Sequence, residues 1–372
     1  MQFIIERSSL LRSLTHVQGV VERRTTIPIL SNVLLNVASG KLGLTATDMD
    51  LAIVEAVPAE VAQEGSTTVP AHTLYDIVRK LPEGSQVEIG AGGEQGQLEI
   101  KSGRSKVNLT TLPSEDFPVI ADGDLPHQFA LHAETLRRLI DRTRFAMSTE
   151  ETRYYLNGLY LHAADVNDVS LLRIVATDGH RLARVETPLP KGAAEMPGVI
   201  VPRKAVGEIY KLIEEVDEEI LVAVSETKIR FSFADVVLTS KLIDGTFPDY
   251  DRVIPFGNEK TLEVKRNEFV KAVDLVSTIS TEKSRAIKLT LDKGSLVLTA
   301  TSPEAGSARE ELDVEYADDQ LEIGFNSKYL LDITQQIDGN DAKFQLSDGA
   351  SPTLVRDTSD PSALYVLMPM RV

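Results

Sequence analysis

Three stretches of the chain open alike, and that repetition constrains the fold more than any single motif does. Phe3, Leu10, Leu14 and Val17 recur at the same spacing as Phe129, Leu136, Ile140 and Thr143, and again as Leu262, Phe269, Val273 and Val276. Only Thr143 departs from the apolar pattern. Steps of 7, 11 and 14 after the first residue put these side chains on one face of a helix that follows a strand. A second block recurs as cleanly. Val69, Leu74, Ile77, Val78 and Leu81 match Val201, Val206, Ile209, Tyr210 and Ile213, and then Phe325, Leu330, Ile333, Thr334 and Ile337.

Between these helical blocks lie alternating stretches, such as 41–47, 171–176 and 295–301, with the period of half-buried strands. Each repeat therefore holds two halves, each a strand, a helix and further strands, and the fold class is α+β. Three repeats of about 124 residues fill the 372-residue chain. The punctuation in 112–118 and in 244–250, rich in Pro, Asp and Gly, ends the first and second copies. The expected domains are 1–127, 128–256 and 257–372.

Composition narrows the function. No cysteine is present, which rules out a disulfide framework, thiolate metal sites and a cysteine nucleophile. No apolar run reaches the length of a membrane helix, and charges come too early for a signal peptide, so a cytoplasmic protein without a membrane partner is expected. A net charge of −17 argues against nucleic-acid binding through bulk positive charge. The charge is uneven, however. The helical blocks 8–24, 71–81, 133–146, 202–215, 265–280 and 326–337 carry 16 Lys and Arg against 10 Asp and Glu, while the rest of the chain carries 23 against 46. Helices tolerate Lys and Arg well, which accounts for part of this excess. The other account is that the helices line one surface facing a polyanion, touched through phosphates and without sequence reading.

Several motifs look catalytic or ligand-binding and read otherwise. Asp178 and His180 sit two residues apart in Thr177-Asp178-Gly179-His180-Arg181, where Asp-Gly between two strands is a hairpin signal; a hydrolase using this pair is the weaker rival. The Gly-rich run 90–96 lies between two short strands with no helix after it, so it reads as a hairpin loop and not a phosphate cradle. Asp48 and Asp50 share a turn, where two carboxylates are more often solvated than metal-bound. No catalytic residue, metal or cofactor is assigned.

Six segments in order carry a resemblance to a known family: Thr26-Ile27-Pro28-Ile29-Leu30, Ser102-Gly103-Arg104-Ser105, Arg153-Tyr154-Tyr155-Leu156-Asn157-Gly158, Ala176-Thr177-Asp178-Gly179-His180-Arg181-Leu182, Phe247-Pro248-Asp249-Tyr250 and Met368-Pro369-Met370-Arg371. Over its whole length the chain resembles the β subunits of bacterial DNA polymerase III, the sliding clamps. The resemblance implies three repeated DNA-clamp domains and a head-to-tail homodimeric ring, with helices inside and sheets outside. It also implies a non-catalytic processivity factor that encircles duplex DNA. The replicative polymerase, the clamp loader, and other polymerases and repair proteins would bind through short peptide motifs. A repeat-built peptide scaffold without DNA is the other alternative.

The resemblance assigns a partner-peptide groove to Leu156, Thr177, Gly179, His180, Arg181, Leu182, Pro248, Arg252 and Val253. Asn326, Tyr329, Val366, Leu367, Met368, Pro369, Met370 and Arg371 complete it from the third repeat. Those residue types suit an adaptable apolar trough with a polar rim, because thioethers repack around different ligands. For DNA the resemblance points to Arg24, Arg153, Tyr154 and Tyr155, where an arginine beside tyrosines serves phosphate contact and base stacking. Arg137, Arg138, Arg142, Arg203, Lys204 and Lys271 are further helical cations. The subunit contact is expected to use Lys106, Val107 and Leu109 on an edge strand against Ile279, with Glu304, Glu310 and Glu311 near basic partners.

Overall fold

A computed structural model describes residues 1–92, 96–118, 120, 123–280 and 285–371. Six α-helices follow the two repeated blocks: α1 (Arg7–Gln18), α2 (Ala71–Lys80), α3 (Ala133–Arg144), α4 (Arg203–Leu212), α5 (Arg266–Ser277) and α6 (Ser327–Thr334). All twelve residues of the first repeated block are buried. Thr143 keeps its place among them because its hydroxyl donates to the Leu139 carbonyl one turn back, and Thr334 does the same to Leu330. In the second block Ile77, Leu81 and Tyr210 are only half-buried. The first helical block was drawn too long: α1 stops at Gln18, so Glu22, Arg23 and Arg24 lie beyond it. No helix among the described residues is long and apolar enough to cross a membrane.

The chain divides into two compact units that do not follow the repeats. The first comprises Met1–Thr135, Pro190–Pro197 and Lys204–Leu242. Its five-stranded sheet runs Glu60–Gln63, Gln2–Glu6, Gln86–Ala91, Gln97–Ser102, Ser105–Thr110. Its eight-stranded sheet runs His127–His132, Glu219–Val224, Lys228–Phe233, Val236–Lys241, Leu51–Pro58, Lys41–Thr47, Asn32–Ala38, Gly65–Pro70. The second unit comprises Leu136–Leu189, Gly198–Arg203 and Ile243–Val372. Its nine-stranded sheet runs Val199–Pro202, Gly158–Val166, Val169–Thr177, Arg181–Pro188, Ala363–Leu367, Thr353–Asp357, Asp341–Leu346, Lys260–Lys265, Glu315–Tyr316. The remaining four strands are ordered Gly306–Asp313, Ser295–Ser302, Ala286–Asp292, Leu321–Asn326.

The units cut through the middle repeat because strands of different repeats pair. Val236–Lys241 joins Leu51–Pro58 antiparallel, with Leu238 opposite Ile53. Ala363–Leu367 joins Arg181–Pro188, with Val366 opposite Leu182. In both joints the last strand of one repeat's second half meets the fourth strand of the preceding repeat's first half. An exposed sheet edge invites pairing, and these joints satisfy four such edges with the chain's own strands. The same two positions stay at sheet edges at the chain's extremes: Ser105–Thr110 in the first repeat and Gly306–Asp313 in the third.

Candidate partner groove and nucleic-acid interface

The hairpin carrying Thr177 to Leu182 is built by local chemistry. Asp178 Oδ1 accepts from the backbone N–H of His180 (2.9 Å) and of Arg181 (3.1 Å), and Gly179 takes a positive φ of 87°. The other Asp178 oxygen accepts from Arg181 Nε at 3.1 Å. Both carboxylate oxygens are thus engaged by the turn and by Arg181, and neither is spent on orienting His180, as a hydrolase would need. The Thr177 hydroxyl donates to the Arg181 carbonyl at 2.6 Å, closing the hairpin.

Arg181 itself is buried. One terminal nitrogen donates to Asp332 Oδ2 at 2.5 Å and the other to the Phe145 carbonyl at 2.6 Å. The guanidinium lies 4.3 Å over the Tyr329 ring and 5.1 Å over Phe145. Buried and with three of its five N–H donors engaged, this group braces the floor of the groove rather than standing at its rim. Burial raises the Tyr329 phenol above its ordinary range, and that ring also stacks on the exposed His180, 6.4 Å between centroids.

Beside this hairpin an apolar cluster joins Leu156, Val175, Leu182, Ile200, Phe247, Tyr250, Ile254, Leu354, Leu364 and Val366. Leu156, Leu182, Val366 and Leu367 are therefore core residues, whereas Pro248, Arg252, Val253 and Met368 are exposed. Periodicity explains the display: Phe247, Tyr250 and Ile254 turn inward from the 3-10 turn Tyr250–Val253 and its approach, leaving the residues between them outside. Arg252 pairs with Asp249 at 2.7 Å in solvent. Asn326 accepts from the Lys328 N–H at 3.0 Å and so caps α6. The tail is pinned: Met368 N–H donates to the His180 carbonyl (2.9 Å) and Met370 N–H to Gly324 (2.8 Å), with Pro369 half-buried between them and Arg371 exposed. Val372 lies outside the described residues.

The charged candidates separate into two kinds. Arg24, Arg137 and Lys271 are exposed. Arg142 is buried and bound to Asp338, while Arg138 donates to Ser362 Oγ at 2.8 Å and approaches Asp360 at 3.4 Å. Arg203 donates to the Met147 and Ser148 carbonyls, and burial lowers its guanidinium from the ordinary range. Lys204 reaches Asp48 at 2.5 Å and the Val20 carbonyl at 3.0 Å. These four brace segments distant in sequence, each with at least one donor committed to a protein oxygen. The pairing also disposes of Asp48 as a free carboxylate, and Asp50 pairs with Lys241 at 2.9 Å. No metal-binding group occurs among the described residues.

Arg153, Tyr154 and Tyr155 lie in a 3-10 turn, Glu151–Leu156. Arg153 grips Glu150 with two donors at 2.8 and 2.5 Å, and that bond holds the Glu150 carboxyl below its usual range. Tyr154 is exposed and meets half-buried Tyr155 edge to face, 5.8 Å between centroids. At the chain's extremes, Val107 is half-buried and Leu109 buried on edge strand Ser105–Thr110, where Lys106 pairs with Glu99. Ile279 is half-buried just beyond α5. Glu304 is exposed, Glu310 half-buried, and Glu311 pairs with Arg309 at 2.8 Å, a bond that lowers its carboxyl. The Gly-rich run 90–96 does join two strands, though Gly93, Glu94 and Gln95 lie outside the described residues. A buried polar chain of His162, Arg173, Glu186 and Tyr250 escaped sequence reasoning, although the Phe247-Pro248-Asp249-Tyr250 motif pointed to one of its members.

Comparison with known proteins gives a consistent relationship. Residues 1–121 match the N-terminal domain of the DNA polymerase III beta subunit, residues 130–249 its central domain and residues 251–371 its C-terminal domain. The beta sliding clamp of Caulobacter vibrioides is 52% identical over 372 residues, covering all of both chains, and that of Pseudomonas aeruginosa is 43% identical over 373, again covering both fully. A crystal structure of a sliding clamp from Bartonella birtlesii bound to griselimycin superposes with a TM-score of 0.97 at 51% identity and full coverage of each chain. A three-domain clamp fold with this coverage leaves one conclusion: the chain belongs to the DNA polymerase III beta subunit family.

Proposed function

We propose that this chain is a DNA sliding clamp, a non-catalytic processivity factor that acts by topology in the cytoplasm. Two copies join head to tail, their six repeats encircle duplex DNA, and the ring tethers the replicative polymerase and, in turn, the clamp loader and other partners. Full-length membership of the beta-subunit family, in all three domains, carries this reading. The strand pairing supports the closure. If the joint between repeats is used once more between chains, Ser105–Thr110 of one copy pairs with Gly306–Asp313 of the other, both of them edge strands at the positions that form the joints inside the chain. Lys101, Arg104 and Lys106 beside the first edge complement Glu304, Glu310 and Glu311 beside the second. A heterologous contact that closes gives a ring and not a filament.

The groove reading assigns partner peptides to the exposed residues around the Leu156–Leu182–Val366 cluster, with Met368 and Met370 as the adaptable wall. DNA contact falls to Arg24, Arg137, Lys271 and the Arg153–Tyr154 turn. Domain divisions at 127 and 257 accompany this reading; the strand opening the second repeat starts at His127. The test is primer extension on a primed circle by the replicative polymerase and its clamp loader. Adding the chain lengthens products of a single binding event, and products of unchanged length contradict the reading. A scaffold without DNA predicts the latter result.

A further inference from the structure

Under the turn that displays Pro248, Arg252 and Val253, the nine-stranded sheet carries an unusual row of polar side chains. His162 stands opposite Arg173 in the strand register, and Arg173 opposite Glu186. The Tyr250 hydroxyl reaches down into the row: Arg173 donates to it at 3.3 Å, and it lies 3.0 Å from His162 Nε2. His162 Nδ1 is 2.8 Å from the Ala163 carbonyl. A carbonyl only accepts, so Nδ1 carries the proton, Nε2 accepts from the tyrosine O–H, and the tyrosine oxygen accepts from Arg173. One protonation state satisfies every link, and it is the neutral imidazole.

A second proton on His162 breaks this order. Nε2 then becomes a donor, so that the Tyr250 hydrogen loses its acceptor. The new cation also faces two guanidiniums, Arg173 on the adjacent strand and Arg184 on the strand beyond it. The acids offer little compensation. Glu186 is already bound by Arg173 at 2.9 Å, and Asp251, largely exposed, lies 3.9 Å from Arg184. Arg184 Nε makes no hydrogen bond and approaches the same Glu186 oxygen only at 3.9 Å, so one carboxylate already serves both guanidiniums. The same row carries the turn mechanically: Phe247 lies parallel to Tyr160 at 4.7 Å, and Tyr160 stacks on His162 at 4.6 Å.

We propose that Arg173, Tyr250 and neutral His162 are positioning residues of the partner groove, pinning the 247–254 turn so that partner-peptide affinity falls when His162 gains a proton. This rests on the groove reading above. Burial, reinforced by the Arg173 charge, holds the His162 imidazole below its ordinary range. The chain is therefore intact at neutral pH, and its loss falls on the acid side of about pH 6.5.

The experiment measures binding of a capped peptide with glutamine and large apolar residues, but no titratable group, to the full-length protein between pH 7.5 and 5.5. Affinity of the unaltered protein drops about fivefold or more on acidification, the scale of one lost hydrogen bond. His162→Gln, which keeps an acceptor but cannot titrate, flattens that drop to within about twofold, and Tyr250→Phe lowers affinity at pH 7.5. Thermal unfolding at pH 7.5 checks that both variants fold, and if Tyr250→Phe does not, His162→Gln decides. A pH profile that persists in His162→Gln overturns the proposal and points to exposed His180. Binding that is insensitive to pH in the unaltered protein overturns the proposal alone. Absence of binding at every pH overturns the groove reading together with it.

Discussion

At the scale of single residues, the lesson of the structure is how much of the chain's positive charge is already committed. Arg181 illustrates it: a buried guanidinium with donors on Asp178, Asp332 and the Phe145 carbonyl, lying over the Tyr329 and Phe145 rings. Arg181→Ala leaves two shielded carboxylates and a carbonyl without their partner, and is expected to cost about 3 kcal/mol in denaturant unfolding. A variant of unchanged stability would mean that the arginine is a surface ligand after all. Arg142→Ala should likewise lower stability while sparing DNA retention, whereas charge reversal at Arg24 together with Arg137 should weaken loading on DNA more than it weakens dimerisation. The count of helical charge could not make this distinction. It recorded that the helices are rich in Arg and Lys, but for Arg138, Arg142 and Lys204 the paired acids lie far off in sequence, Asp338 being 196 positions from Arg142.

At the scale of elements, the repeated apolar spacing foretold where helices lie and which face they bury, because a core position admits few side chains and the same constraint acts three times. Thr143 and Thr334 were tolerated for a reason that spacing does not carry, a hydroxyl bonded to its own helix. The 3-10 turn holding Tyr154 was not legible in the sequence, because six residues are too few for a period to declare itself. Partner strands at the joints were equally hidden, since pairing depends on register across more than a hundred residues. Two outcomes belong to this scale. Val107→Asp on the edge strand, or Ile279→Asp beyond α5, buries an unpaired carboxylate in the proposed contact and should convert the dimer into folded monomers in a sedimentation experiment; an unchanged profile would relocate the contact. Among the described residues, deleting 368–372 removes two backbone hydrogen bonds but no fully buried side chain, so folding and dimerisation should survive while binding of polymerase and clamp loader is lost. Normal partner affinity in the truncated dimer would place the groove elsewhere.

For the whole molecule, an acidic chain that works on DNA needs an account other than affinity, and topology supplies it. Phosphate contacts weaken steeply as salt rises, but a closed ring cannot leave a closed circle without opening. In the proposed ring, the repeat pairing seen inside the chain continues between chains and gives that closure its physical basis. The most direct measurement is therefore retention after loading on nicked circular DNA, followed in salt high enough to disrupt ordinary phosphate contacts and then after a single cut that linearises the circle. The protein is expected to remain on the circle through the salt wash and to run off once the ends are free. Equal loss from circular and linear DNA would contradict the central claim.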